Sequence, residues 1–328
     1  MGNHTVKFAV FADIHLDIMH DGPRRLDAFL RAAEEADVDF IIHLGDFSYP
    51  EDTSCCKCAP EKMPVNLHLA MEHPPDVPKK ELLARFAAFP KPSYHMLGNH
   101  EMDFSTKDMA MELYGMESPC YSFHCNGWHF IALDGNHCRN EQGEIVDYWY
   151  GKYFETKDLP YLGKKQLLWL EKELEDGPEP VVLFCHQPMW ECPRGLKDGA
   201  DLRRLIQQSR ARGKMVRLCM NGHLHEDLLS MKDGVIYYTL NSISNYWAGV
   251  KYETLRYSEK IDAEFPNLRY TLPYQKPIYA VITLDESGMT VQGVKGRFVQ
   301  PGPLHTDLRP MPTASIRNRH LEWPKSSL

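Results

Sequence analysis

Six times along this chain a short apolar run breaks off in acidic, amide or histidine residues. VKFAVF stops just before Asp13 and His15, FIIHL before Gly45-Asp46, and SYHML before Gly98-Asn99-His100-Glu101. WHFIAL stops before Asp134, VVLFC before His186, and VRLCMN before Gly222-His223-Leu224-His225. Such a run reads as a buried strand ending in a loop. Between the first two lies RRLDAFLRAAEEADVD, with apolar residues at helical spacing, so the amino-terminal part is a β-α-β unit. Its strands must be parallel, which brings their polar ends to one carboxyl edge, where open α/β sheets bind ligands. KKQLLWLEKELED and ADLRRLIQQSRARG predict amphipathic helices of about three turns ahead of two later strands. The expected fold class is therefore α/β.

With 328 residues, 43% apolar side chains and 11% aromatics, the chain can fill one large core or two ordinary ones. A net charge of -8 and a pI near 6.1 leave no broad cationic face for nucleic acid, which is not expected as a partner. PRRLD and DLRRL are the densest basic clusters and read as solvated helix faces. No run approaches the roughly 18 apolar residues of a membrane span. VKFAVFA meets Asp13 too early for a signal peptide, and Val6 stands where the myristoylation pattern requires Ser or Thr. Nine cysteines, an odd number, point to reduced thiols. Together these set the expectation of a soluble cytoplasmic protein.

Two stretches interrupt the rhythm. Residues of about 49–78 are rich in proline and carry Cys55, Cys56 and Cys58, while 136–161 is dense in aromatics, with Tyr148, Trp149, Tyr150, Tyr153 and Phe154 close together. Insertions of this length in a compact domain are often functional lids. The aromatic one reads either as a lid that stacks on a base or apolar leaving group, or as a loop pinned by its own rings. The CCKC run could be half of a structural zinc site completed by His68 or His73, but its spacing is irregular and reduced loop thiols are the simpler reading. Beyond about Val250 the chain changes character, with a hairpin expected around Ser287-Gly288 and a Pro-rich tail after it.

Taken together, Asp13, His15, Asp46, Asn99, His100, His186, His223 and His225 offer oxygen and nitrogen donors without a thiolate. That set suits Mn, Fe or Zn. It is too large for one ion and about right for two that share a carboxylate, a device that activates water and clamps a phosphate.

DIH, GD, GNHE, the histidine of CHQP, and GHLH, in this order, resemble the five blocks of the calcineurin-like metallophosphoesterases. The resemblance covers roughly residues 6–245. It implies a four-layer α/β/β/α sandwich and two transition-metal ions. Asp13, His15 and His225 would hold one ion, Asn99, His186 and His223 the other, with Asp46 bridging. His100 would face the scissile phosphate and assist the leaving group, and Glu101 would orient that imidazole by accepting its hydrogen bond. The implied activity is hydrolysis of a small-molecule phosphodiester or phosphomonoester by a metal-bridging hydroxide. The competing readings are a catalytically silent binding or scaffold protein on the same fold, and a phosphoprotein phosphatase. In this frame residues 1–250 form the catalytic domain and 251–328 an extension packed on it.

Gly-Asn-His occurs three times, at 2–4, 98–100 and 135–137, and the block order selects the second. The first reads as a terminus, and His137 as a loop residue at the rim. His43 and His95 are expected in the core. Tyr49, in GDFSY, matches the iron-binding tyrosine of purple acid phosphatases; because His15 fills that coordination position, Tyr49 is expected beside the site rather than on a metal.

Overall fold

The computed structural model describes residues 4–48, 77–175 and 177–324. Tyr49, the three cysteines of the CCKC run, His68 and His73 lie outside them. Two six-stranded sheets dominate. In the first the order is β16 (Arg319–Glu322), β15 (Gly288–Gly293), β14 (Ala280–Leu284), β1 (Val6–Phe11), β2 (Phe40–His43), β3 (Ser93–Tyr94). In the second it is β10 (Leu228–Lys232), β11 (Val235–Thr239), β9 (Val216–Asn221), β8 (Val181–Cys185), β5 (Trp128–Leu133), β4 (Tyr121–Cys125). The block-bearing strands are parallel, β1 to β2 to β3 and β5 to β8 to β9, so their polar ends share one edge.

Alternation along the strands explains the layers. Phe8 and Val10 of β1 join Val182 and Phe184 of β8 in a core between the sheets, while Ala9 and Phe11 turn outward under α1 (Gly22–Glu35), which contributes Leu26, Phe29 and Ala33. Val181, Leu183 and Cys185 likewise turn outward. They meet Leu170 of α4 (Lys164–Glu173) and Leu202 and Ile206 of α5 (Gly199–Ala211). The result is the expected α/β/β/α sandwich. Phe8 stacks on Phe40 at 4.9 Å, and Phe130 stacks on Phe184. Each such fully buried ring contributes roughly 1.5–3 kcal/mol.

Among the described residues the remaining α-helices are α2 (Lys79–Ala87), α3 (Lys107–Tyr114) and α6 (Glu259–Glu264), and the remaining strands form two short pairs, β6 (His137–Arg139) with β7 (Ile145–Asp147) and β12 (Asn245–Trp247) with β13 (Thr271–Pro273). The expected hairpin is β14 and β15, and β14 pairs antiparallel with β1 in the interior of the first sheet. The tail is clasped by Asp227, whose buried carboxylate accepts from both Arg319 terminal nitrogens at 2.8 and 2.9 Å. Among the described residues, no helix is long and apolar enough to cross a membrane.

Candidate metal centre

The loops leaving β1 and β2 are bonded to each other as they reach the edge. Asp13 N–H donates to Gly45 O at 3.1 Å, His15 N–H to Asp46 O at 3.0 Å and Leu16 N–H to Phe47 O at 3.0 Å. Ser242 and Ser244 hydroxyls cap the carbonyls of Asp13 and Ile14 from the far side. This bracing holds an unfavourable backbone. Among the described residues, five of the nine non-glycine residues at left-handed φ are Asp13 (55°), His15 (49°), Asp46 (53°), His223 (65°) and His225 (54°). Each costs on the order of 1–3 kcal/mol and persists only where surrounding contacts over-determine it. Gly45 sits at φ 95°, and a Cβ there would lie 2.6 Å from both Gly98 N and His186 Nδ1.

The side chains gather in two groups, Asp13 with His15 and His225, and Asp46 with His186 and His223; in each, the ligand atoms lie within 4.8 Å of one another. Asp46 Oδ2 is 3.1 Å from His186 Nε2 and 3.8 Å from His15 Nε2, so its carboxylate stands between the groups. Its other oxygen accepts the His100 backbone N–H at 2.9 Å.

Two histidines have their tautomers fixed. His186 Nδ1–H donates to Leu44 O and His225 Nδ1–H to Asn245 O, both at 2.7 Å, which leaves Nε2 of each to face the cluster. There His225 Nε2 meets His15 Nε2, and His186 Nε2 meets His223 Nδ1, at 3.2 Å in each case. Asn99 Oδ1 is buried with no hydrogen-bond partner. Converging lone pairs, an orphaned amide oxygen and two buried carboxylates fit cations.

The electrostatics agree. Against the burial that penalises charge, Asp46 lifts the His186 imidazole to about 9, while His186 and His100 hold the Asp46 carboxyl well below its ordinary range. Burial drives His15 and His223 well below the usual histidine value, so they present neutral nitrogens.

His100 lies beside these groups, with its ring centroid 5.3 Å from that of His15. Although burial opposes its charge, Asp103 and Asp46 raise it to about 10. The carboxylate that accepts its Nδ1–H, at 2.7 Å, belongs to Asp103. This corrects the expectation for Glu101. His100–Met102 forms a 3-10 turn, in which residues three apart eclipse, so Asp103 falls under His100 and Glu101 turns away. Glu101 instead accepts from the N–H groups of Phe47 (2.7 Å), Gly98 (2.8 Å) and Asp46 (3.2 Å), and its Oε1 lies 3.1 Å from the Tyr114 hydroxyl, whose proton goes to Ser48 O. It ties the second loop to the third, and burial together with the Asp46 charge raises its carboxyl to about 8.

The third Gly-Asn-His is scaffold. Buried Asn136 donates to Leu97 O at 3.0 Å and accepts from Gln187 at 2.6 Å, tying the segment just before Gly98 to the loop after His186. His137 begins β6, away from both groups, and its Nδ1–H donates to Tyr161 O. A third carboxylate and histidine cluster, Asp134, His137 and Asp147, already contains a cation: Lys107 Nζ is 2.5 Å from each carboxylate. His43 and His95 pair at 2.8 Å near buried Phe86. The aromatic insertion is pinned rather than open. Tyr150 N–H donates to Ser105 O and Gly151 N–H to Met102 O, both at 2.9 Å, and the Tyr153 ring stacks on Tyr148 and lies tilted against Phe154.

Comparison with known proteins gives the arrangement a lineage. A family model described as calcineurin-like phosphoesterase matches residues 6–227. Among solved structures, a dimetal phosphatase from Danio rerio superposes with a TM-score of 0.55 at 17% identity, covering 90% of this chain and 98% of that one. The protein GAP50, the anchor in the inner membrane complex of Plasmodium, superposes at 0.49 with 14% identity, covering 98% of this chain and 90% of that one. A search of curated proteins finds no match. At 17% identity the first of these likenesses bears on the fold alone. The family model, however, spans most of the chain and takes in both histidine and aspartate groups, and on that ground the chain belongs to the calcineurin-like phosphoesterase family.

Proposed function

We propose that this chain is a dimetal phosphoesterase that hydrolyses a small-molecule phosphodiester or phosphomonoester. The observation that carries the reading is the pair of buried histidine and aspartate groups on either side of Asp46, with a carboxylate-paired histidine next to them. Asp13, His15 and His225 would hold one ion, and Asn99, His186 and His223 the other, with Asp46 able to serve both. Two ions of Mn, Fe or Zn type, when bound, supply an activated water and neutralise the phosphate. The carbonyls of Leu44 and Asn245 keep Nε2 of His186 and His225 directed at the site. With Nδ1–H given to Asp103, His100 keeps Nε2 as the atom that would give a proton or hydrogen bond to the departing oxygen. Its side chain is about a third exposed (34%), so a substrate can reach it. The reading places the protein in the cytoplasm, where the six described cysteines, all free, would stay reduced.

The test is His100→Asn. Two ions should remain, while hydrolysis of an alkyl phosphoester falls by about 10²–10⁴-fold. The fall should be smaller for p-nitrophenyl esters, whose leaving group departs largely unaided, and His137→Asn should cost little with either substrate. Equal losses across leaving groups, or loss of an ion in the variant, would reject the assignment of His100.

A further inference from the structure

The aromatic insertion contributes one side chain that the chemistry above has not used. Tyr153 is 5% exposed, and its ring is held between Tyr148, at 4.4 Å between centroids, and Phe154, at 4.2 Å. Its hydroxyl reaches both halves of the site. It donates to Asp103 Oδ1 and accepts from Asn99 Nδ2 at 3.2 Å.

A phenol has a single proton, and here the Asp103 carboxylate, an acceptor only, claims it. Toward Asn99 the same oxygen can therefore only accept, so the amide must present its NH2 to Tyr153 and turn its oxygen the other way. That oxygen is the buried atom without a partner. The second oxygen of Asp103 meanwhile accepts His100 Nδ1–H at 2.7 Å. One polar sequence thus runs from the His100 imidazole through Asp103 and Tyr153 to the Asn99 amide, with every donor and acceptor direction determined.

We infer that Tyr153 is a positioning residue: it orients Asn99 so that its oxygen faces the second ion, and it braces Asp103 against His100. The inference rests on the dimetal phosphoesterase reading, with Asn99 as a ligand and His100 beside the leaving group. It gives the insertion a purpose, since a residue from 50 positions downstream joins a metal ligand to the proton donor.

The test is Tyr153→Phe, which keeps the stacked ring and removes the hydroxyl, with Tyr148→Phe as a hydroxyl deletion in the same stack. Mn²⁺ binding to each metal-stripped protein is followed by calorimetry, and hydrolysis of alkyl and p-nitrophenyl phosphoesters is measured at saturating Mn²⁺. In Tyr153→Phe one of the two Mn²⁺ affinities should fall by about 10–100-fold, the usual effect of losing a residue that supports a ligand, and the other should stay within about threefold. At saturating Mn²⁺ a residual loss in kcat should be larger for the alkyl ester, with KM little changed. Because that loss acts through Asp103, it should disappear when Tyr153→Phe is made in an Asp103→Asn background. Tyr148→Phe should match the wild type in both measurements. Unchanged Mn²⁺ isotherms in Tyr153→Phe, or a loss that adds in full to that of Asp103→Asn, would overturn the inference. A wild type that takes up only one Mn²⁺ or cleaves neither ester would overturn the phosphoesterase reading itself, and the two failures are told apart by whether the wild type behaves.

Discussion

Gly98 packs directly against Asp46, and Gly98→Ala puts a measurable error into the centre. A Cβ at this position would lie 2.1 Å from Asp46 Oδ1, 2.5 Å from Asp46 N and 2.7 Å from Asp46 Cγ. Real Cβ atoms essentially never approach within 3.0 Å, so the Asp46 carboxylate and the Gly98 loop must separate by about 1 Å. Two costs follow. Overpacking of this kind destabilises by about 1–3 kcal/mol, or about 2–4 °C of melting temperature per kcal/mol in domains of 150–250 residues and no more than that here. The larger cost is functional, because misplacing a catalytic constellation by about 1 Å is worth about 10²-fold in rate. Gly115→Ala supplies the comparison. It sits at φ 63° with nothing within 4 Å of an added Cβ, so it should lose about 1–2 kcal/mol of stability with kcat unchanged. Thermal melts, Mn²⁺ calorimetry and p-nitrophenyl ester kinetics on both variants separate the two costs. A Gly98→Ala protein with wild-type kcat and two normal Mn²⁺ sites would show that Asp46 is not held where the reasoning puts it.

Asp46→Asn should weaken uptake of both ions in calorimetry, whereas a variant that loses one ion and keeps the other intact would remove the bridge. Because Asp46 raises His186 to about 9 and an ion must displace that proton, Mn²⁺ affinity at this site should fall by about tenfold per pH unit from pH 9 down to 7. His15 carries no proton to displace, so the other site should depend less on pH; isotherms in buffers of different ionisation enthalpy count the protons released. Asp227→Ala removes the acceptor of the Arg319 fork and should destabilise by the lower end of roughly 3–5 kcal/mol, since Arg319 can turn toward solvent; a urea midpoint shifted by less than about 1 kcal/mol would refute the clasp.

The strands and their polar ends were legible because each strand is a short apolar run and each end a change of residue type. Asp13, His15, Asp46, His186, His223 and His225 come together because parallel strands must deliver their ends to one edge. What sequence reading missed is the partner of His100. The nearer acid, Glu101, suggested itself, yet HEMD contained the signal: Asp103 stands three positions after His100, the spacing that eclipses in a 3-10 turn. Tyr153 could not be found in this way, because nothing local to DYWYGKYF says which loop 50 residues earlier it will meet. The inner position of β14 was equally hidden, since YAVIT states a strand but not its neighbour.

The left-handed backbone at Asp13, His15, Asp46, His223 and His225 has a consequence for anyone breeding this protein in the laboratory. At each of these positions glycine adopts the same conformation without steric penalty. Selection that rewards heat resistance and ignores turnover should therefore drift toward glycine there, enriching sturdy proteins with an emptied centre. A library scored on residual turnover after heating would keep the strained residues and gather its gains elsewhere.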